Sequence, residues 1–319
     1  MFKKIFAIAL GALLAVPALG QGWPQKNVRM VVPFAAGGTT DIVARLLGQR
    51  LTEAWGQTVV VENRAGAAGN IGAAEVAKSA PDGYTLFMTT GSIVTANQHI
   101  YKQLPFDPEK DLVPITNVAT GPQVVIVPAN SPYATLKELI AAAKARPGAL
   151  NYGHAGIGSQ THLAAENFLH AAGIELTNVP YKGEAPAVTD VAAGQLNMAA
   201  VNVAAAMSFV NQGKLRALAV TSKARSPQLP DVPAVAETLP GFENSGWFGL
   251  MAPAGTPKEI IDKVARDSAK ALESTDLKAR LYVQGMAPVG AGPQAMARQI
   301  RDETALWARI VQERRIQVQ

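Results

Sequence analysis

The sequence predicts an α/β protein of two Rossmann-like lobes facing across a cleft. Three observations carry that prediction. Strand-like and helix-like stretches alternate with short loops, the signature of βα units and a largely parallel sheet covered by helices. The βα order stops at a proline-rich passage and then restarts. A second proline-rich passage then precedes the C-terminal part, so the chain crosses between the two blocks twice.

The first block opens with an apolar strand at 28–34 and a helix at 40–54, whose Ile42, Leu46, Leu47 and Leu51 recur at helical spacing. A strand at 58–61, a helix at 71–78, a strand at 85–90 and a helix near 93–101 follow. The pattern breaks over 104–122, where Pro105, Pro108, Pro114 and Pro122 cluster. The second block reads as strand 124–127, helix 136–145, strand 150–153 and helix 161–171. Further strands at 177–180, 196–203 and 215–221 have helices between them. "SPQLPDVPAVAETLPGF" (226–242) separates this block from "WFGLMAP". The remainder reads as helical. Ile260, Ile261, Val264 and Leu272 share one side of its first helix, and Met296, Ile300, Trp307 and Ile310 form a core-packing stripe on its last.

The division into lobes follows from those crossings: 21–121 plus 247–319 for the first, 122–246 for the second. Residues 1–20 stand apart. Lys3 and Lys4, an apolar stretch over 5–19, and the small residues Ala18 and Gly20 compose a cleavable signal peptide. The stretch is too short for a bilayer span, and Gly11 and Pro17 interrupt it.

Composition narrows the function. Without Lys3 and Lys4 the formal charge falls from +5 to +3, and no basic run exists, which argues against nucleic acid. The chain has no cysteine, so disulfide frameworks and Cys-ligated metals are excluded. Its 319 residues are 48% hydrophobic, enough to build a core.

Two loops draw the chemistry. In "VVPFAAGGTTDIVARLL" (31–47), Gly37 and Gly38 allow close backbone approach, Thr39 or Thr40 can cap the next helix, and Asp41 falls in its first turn. In "NYGHAGIGSQTHLAAENFL" (151–169), Ser159 and Thr161 can cap a helix and donate hydroxyl hydrogen bonds. Each alone reads equally as a capped turn. Together they place one helix N-terminus per lobe where both can converge on a single anion. Other readings fare worse. Gly156–Ile157–Gly158 begins a dinucleotide fingerprint, but Thr161 replaces its third glycine and Glu175 precedes its strand. No G-x-S-x-G surrounds Ser159. His99, His154, His162 and His170 do not have metal-ligand spacing, and there is no phosphate loop or calcium loop.

"PFAAGGTTDIVARLL", "VVVENRAGAAGNIGA", "APDGYTLFM", "VPYKG", "GKLRALAVTS", "LPDVPAVAE" and "WFGLMAPAGTP" occur in that order, and with them the chain resembles the Bug-type solute-binding proteins of tripartite tricarboxylate transporters. The resemblance implies a periplasmic binding protein of type II, non-enzymatic, monomeric and free of cofactors and metals. It would close on a small organic acid and pass it to membrane permease subunits; the alternatives are an orphan sensor for a signalling receptor and a secreted α/β enzyme. It further implies that Phe34, Gly38, Thr39, Thr40 and Asp41 meet Ser159, Gln160 and Thr161 around the ligand's carboxylate. Thr90, Gly91, Ser92 and Asn202 would complete the cleft. The chain departs from the family pattern at Ala35, Ala36, Thr39 and Val201. Neither glycine loop contains Lys or Arg, so the expected site is a neutral cage of backbone and hydroxyl donors, with Lys182 as the nearest cationic candidate.

Overall fold

The computed structural model describes residues 22–314 and 316. The expected signal peptide lies outside them. The chain begins β1 (Val28–Val32), α1 (Thr39–Trp55), β2 (Val59–Asn63), α2 (Asn70–Ala77), β3 (Thr85–Thr90), α3 (Gly91–Thr95), α4 (Asn97–Ile100) and β4 (Leu112–Pro128). It continues α5 (Leu136–Ala145), β5 (Asn151–His154), α6 (Gln160–Ala172), β6 (Thr177–Pro180), α7 (Glu184–Ala192), β7 (Met198–Asn202), α8 (Val203–Asn211) and β8 (Leu215–Val220). After 226–242 come β9 (Ser245–Pro253), α9 (Lys258–Glu273), α10 (Thr275–Val283), β10 (Ala287–Ala291) and α11 (Pro293–Arg314).

The strands hydrogen-bond in the order β2-β1-β3-β9-β4-β7-β5-β6, and β8 and β10 also pair with β4. The first half of β4 belongs to one lobe and the second half to the other. Its residues 112–122 pair with β9, and its residues 123–128 pair with β7 and β8. The sheet is parallel only at β1–β2, β1–β3, β5–β6 and β5–β7, and antiparallel around β4 and β9. The expectation of a largely parallel sheet is corrected there, because strands that cross between lobes return in the opposite direction.

The expected break over 104–122 is corrected too. Residues from Leu112 onward form the longest strand, 17 residues, despite Pro114 and Pro122. Proline cannot donate to a ladder and is tolerated at bulges and strand margins. The register slips between Pro114 and Thr116, and Pro122 pairs with Ser245, the first residue of β9. The C-terminal part is not wholly helical: residues 287–291 form β10 on the free side of β4.

Helices bury both faces of each half-sheet. In β1, Met30 and Val32 face Val43, Leu47 and Leu51 of α1, together with Leu86, Phe248, Leu250 and Val264. Val31 points the other way, into a layer with Phe87, Ile93, Met251, Met296 and Ile300. Alternating side chains that are all apolar are what a strand covered on both faces needs. The second lobe repeats this, with Val125 and Val127 on one side and Val124 and Ile126 on the other. The α11 stripe divides. Met296 and Ile300 are core, whereas Trp307 and Ile310 are half-buried and line a broad cleft between the lobes.

Candidate ligand-binding site

The loop after β1 leads into α1 through Gly37, whose φ of 81° suits glycine, and Gly38. Gly38 is the N-cap, with extended φ/ψ and no side chain to cap with. Thr39 and Thr40, expected as caps, lie one and two positions later, inside the first turn. Asp41 turns back on the loop: Oδ2 accepts the Gly37 N–H at 3.0 Å and Arg45 Nε at 2.9 Å, and Oδ1 accepts Asn63 Nδ2 at 3.0 Å. Burial alone would raise its pKa, but the hydrogen bonds from Arg45, Gly37 and Asn63 outweigh it and hold the carboxyl below its ordinary value. Asp41 thus shapes the loop from behind.

The second loop joins β5 to α6. Ser159 is the N-cap; its Oγ accepts the His162 N–H at 3.2 Å. Thr161 Oγ1 accepts the Ala155 N–H at 3.0 Å, which folds the loop against the helix start. Two buried imidazoles hold it from behind: His154 Nδ1 accepts the Gly156 N–H and His162 Nδ1 the Gly158 N–H, each at 3.2 Å. The first backbone N–H groups of a helix have no intrahelical acceptor. With His162 capped by Ser159, those of Gln160 and Thr161 remain as the donors of this N-terminus.

The two loops meet. Phe34, Gly38 and Thr40 from the first, Thr90 from the end of β3, Ser159, Gln160 and Thr161 from the second, and Asn202 from the end of β7 line one narrow cavity of about 10 Å³. Ala155 and Glu184 complete its lining. Of the remaining expected residues, Thr39 stands behind the wall, fully buried, and Asp41 serves the loop. Gly91 and Ser92 open instead into the broader cleft with Trp247, Trp307 and Glu303. There the Trp247 indole N–H donates to both Glu303 oxygens, at 2.9 and 2.8 Å. Lys182 is exposed, and its carbonyl accepts the Ala35 N–H.

Glu184 is the residue sequence reasoning missed, and with it the cage ceases to be neutral. Its Oε2 accepts the Thr39 N–H at 2.9 Å, so the N-terminus of α1 already holds a carboxylate. Its Oε1 accepts both the backbone N–H and Nδ2 of Asn202, each at 2.7 Å. Burial outweighs the Asn202 and Thr39 donors and raises its pKa above the ordinary carboxylate value. The only signal was local: Gly183 before an acidic first turn marks a helix start, which is how Glu184 reads in isolation.

The Ser159 hydroxyl faces Thr161 Oγ1 at 3.2 Å and a backbone N–H, and no imidazole nitrogen bonds it among the described residues. Among those residues, no group of three or more His, Asp or Glu is arranged to hold a metal ion. The arrangement is one of donors and acceptors around a small cavity, which is the anatomy of binding.

A family model described as the tripartite tricarboxylate transporter family receptor matches residues 43–316. The chain belongs to this family. BugT of Bordetella pertussis is 39% identical over 302 residues, which cover 94% of this chain and 93% of BugT. An R. palustris protein solved with adipate superposes with a TM-score of 0.90 at 38% identity, covering 93% of this chain and all of that one. The periplasmic binding protein BugD gives 0.89 at 34%, covering 93% of this chain and all of BugD. MatC from Rhodopseudomonas palustris, with bound malate, gives 0.86 at 32%, covering 91% of this chain and all of MatC. The expected two-lobed α/β fold with a cleft is therefore borne out, as in the periplasmic binding proteins, although its sheet is mixed and not largely parallel. The chain is a solute-binding protein of the tripartite tricarboxylate type. No helix among the described residues is long and apolar enough to cross a membrane.

Proposed function

We propose that the chain captures a small organic carboxylate in the periplasm, by closure of two lobes, and delivers it to the membrane subunits of a tripartite tricarboxylate transporter. It does so as a monomer and catalyses no reaction. The observation that carries this reading is the N-terminus of α6 opening into a narrow cavity among hydroxyls. The Gln160 and Thr161 N–H groups and the hydroxyls of Ser159, Thr161, Thr40 and Thr90 converge there without Lys or Arg. Neutral donors and a helix dipole hold an anion reversibly, as a carrier requires. Phe34 supplies an apolar wall, Gly38 lets the first loop approach, and Asn202 and Gln160 tie the lobes to the floor. Two relatives, solved with adipate and with malate, agree with that ligand class.

The lobes are 21–121 plus 247–319 and 122–246, and they move about the crossings near 121–123 and 245–247. Removal of residues 1–20 on export leaves Gln21 at the N-terminus.

A thermal-shift screen of organic acids tests the reading. A ligand at 100 times its Kd adds about 2.7 kcal/mol to the folded state, a clear rise in Tm. A screen in which no organic acid raises Tm overturns it.

A further inference from the structure

Glu184 is not an ordinary helix-start acid. Only 6% of its surface is exposed, it lines the ligand cavity, and its donors, the Thr39 N–H and the Asn202 N–H and Nδ2, are neutral. Those donors belong to both lobes: Thr39 opens α1 in the first, and Asn202 caps α8 in the second. Glu184 itself opens α7. Two helix starts, those of α1 and α8, therefore donate to one side-chain carboxylate, which itself stands at the start of α7. Arg45, the basic residue on the same helix as Thr39, is engaged with Asp41 at 2.9 Å.

The cavity consequently has two unlike ends. Around Ser159 and Thr161 it offers donors and the positive end of α6. Around Glu184 it offers a buried acceptor. A carboxyl oxygen can accept about two hydrogen bonds; Oε1 takes two N–H donors and Oε2 one, so Oε2 is the less occupied oxygen. A second carboxylate brought to that end would meet a like charge in a desolvated space, where one of the pair must take up a proton or leave.

We propose that Glu184 determines specificity by occupying the first lobe's anion position with the chain's own carboxylate. The ligand is then a carboxylic acid whose far end carries a hydrogen-bond donor (an ammonium, hydroxyl or amide N–H) in place of a second carboxylate. This rests on the proposed binding of a carboxylate at α6 and adds which acids are accepted.

The test uses pairs matched in length: succinate with 4-aminobutanoate, glutarate with 5-aminopentanoate, and adipate with 6-aminohexanoate. Each is titrated calorimetrically into the purified chain at neutral pH. For the length that fits best, the amino acid binds at least about tenfold tighter than its dicarboxylate partner, a difference of about 1.4 kcal/mol. In Glu184→Ser the order reverses, and in Glu184→Gln the preference falls to within about threefold, with cooperative melting of each variant checked beforehand. Should a variant fail to melt cooperatively, the wild-type ratio decides alone. A wild-type chain that binds a dicarboxylate as tightly as its amino partner, or a Glu184→Ser chain with the wild-type ratio, overturns the role of Glu184 while the carboxylate reading survives. Absence of binding by every member of the three pairs, together with a failed organic-acid screen, removes the carboxylate reading and this proposal with it.

Discussion

Gly246 lies so close to the Gln160 carboxamide that no side chain fits between them. Gly246 is in β9 at a crossing between lobes, and Gln160 begins α6 in the second lobe. Gln160 Oε1 accepts the Trp247 N–H, and Nε2 donates to Asn202 Oδ1, both at 3.2 Å. One carboxamide thus ties the crossing strand to the cavity floor.

Gly246→Ala is expected to displace Gln160 and destabilise the chain by about 1–3 kcal/mol, the usual cost of overpacking. Gln160→Ala alone leaves the Trp247 N–H short of an acceptor. In the double variant the added methyl has room, so the penalty is less than the sum of the singles. Urea denaturation of all four chains measures the coupling. Strict additivity would show that the contact has no energetic weight.

The paired imidazoles behind the second loop set an acid limit. Their rings lie 4.5 Å apart. Burial lowers the pKa of His154 to about 4 and that of His162 to about 3, with the charge of its neighbour also lowering the latter. An unfolded histidine titrates near 6.5, so between that pH and 4 the unfolded chain binds more protons and stability falls as pH falls. His154 alone contributes about 3 kcal/mol above pH 6.5 that is lost progressively down to pH 4. His154→Asn keeps an acceptor for Gly156 and removes the titration, so its unfolding free energy should slope less steeply across that window. An unchanged slope would assign the acid sensitivity to other groups.

Ser159→Ala removes the N-cap of α6, costing about 1 kcal/mol of stability. It also takes one donor from the bound carboxylate, weakening affinity by about 1–3 kcal/mol. Lys182→Ala, at an exposed position, should change affinity by less than about 1 kcal/mol. Calorimetry with the best acid from the screen compares them. If Lys182→Ala abolishes binding and Ser159→Ala does not, a direct ion pair anchors the ligand instead.

Closure about the crossings predicts compaction. Small-angle scattering with saturating ligand should give a smaller radius of gyration than without it. An unchanged radius would mean that the lobes are already fixed in their closed relation.

The glycine loops were legible because their chemistry is local. Gly38, Ser159 and Thr161 announce helix starts within four or five residues of sequence, and they do line one cavity. Glu184 was not, because its meaning lies in the Thr39 N–H, 145 positions away. By itself, an acid in a first turn merely complements the helix dipole. Likewise Pro114 argued against a strand until β9 supplied an irregular register that accommodates it. "APVGA" in β10 carries little strand signal of its own and is ordered by its pairing with β4.

The place of β9 in the sheet also fixes the order in which the molecule can assemble. Residues 245–253 are inserted between β3 and β4, strands that leave the ribosome much earlier. Until β9 emerges, the first half-sheet has a gap at its centre, with the edges of β3 and β4 bare. The second half-sheet has no such debt, since β4, β5, β6, β7 and β8 fall within one continuous stretch. A nascent chain stalled before residue 245 should therefore protect the amides of β5 and β7 from exchange while those of β3 remain open. The lobe that starts the sequence is the one that finishes last.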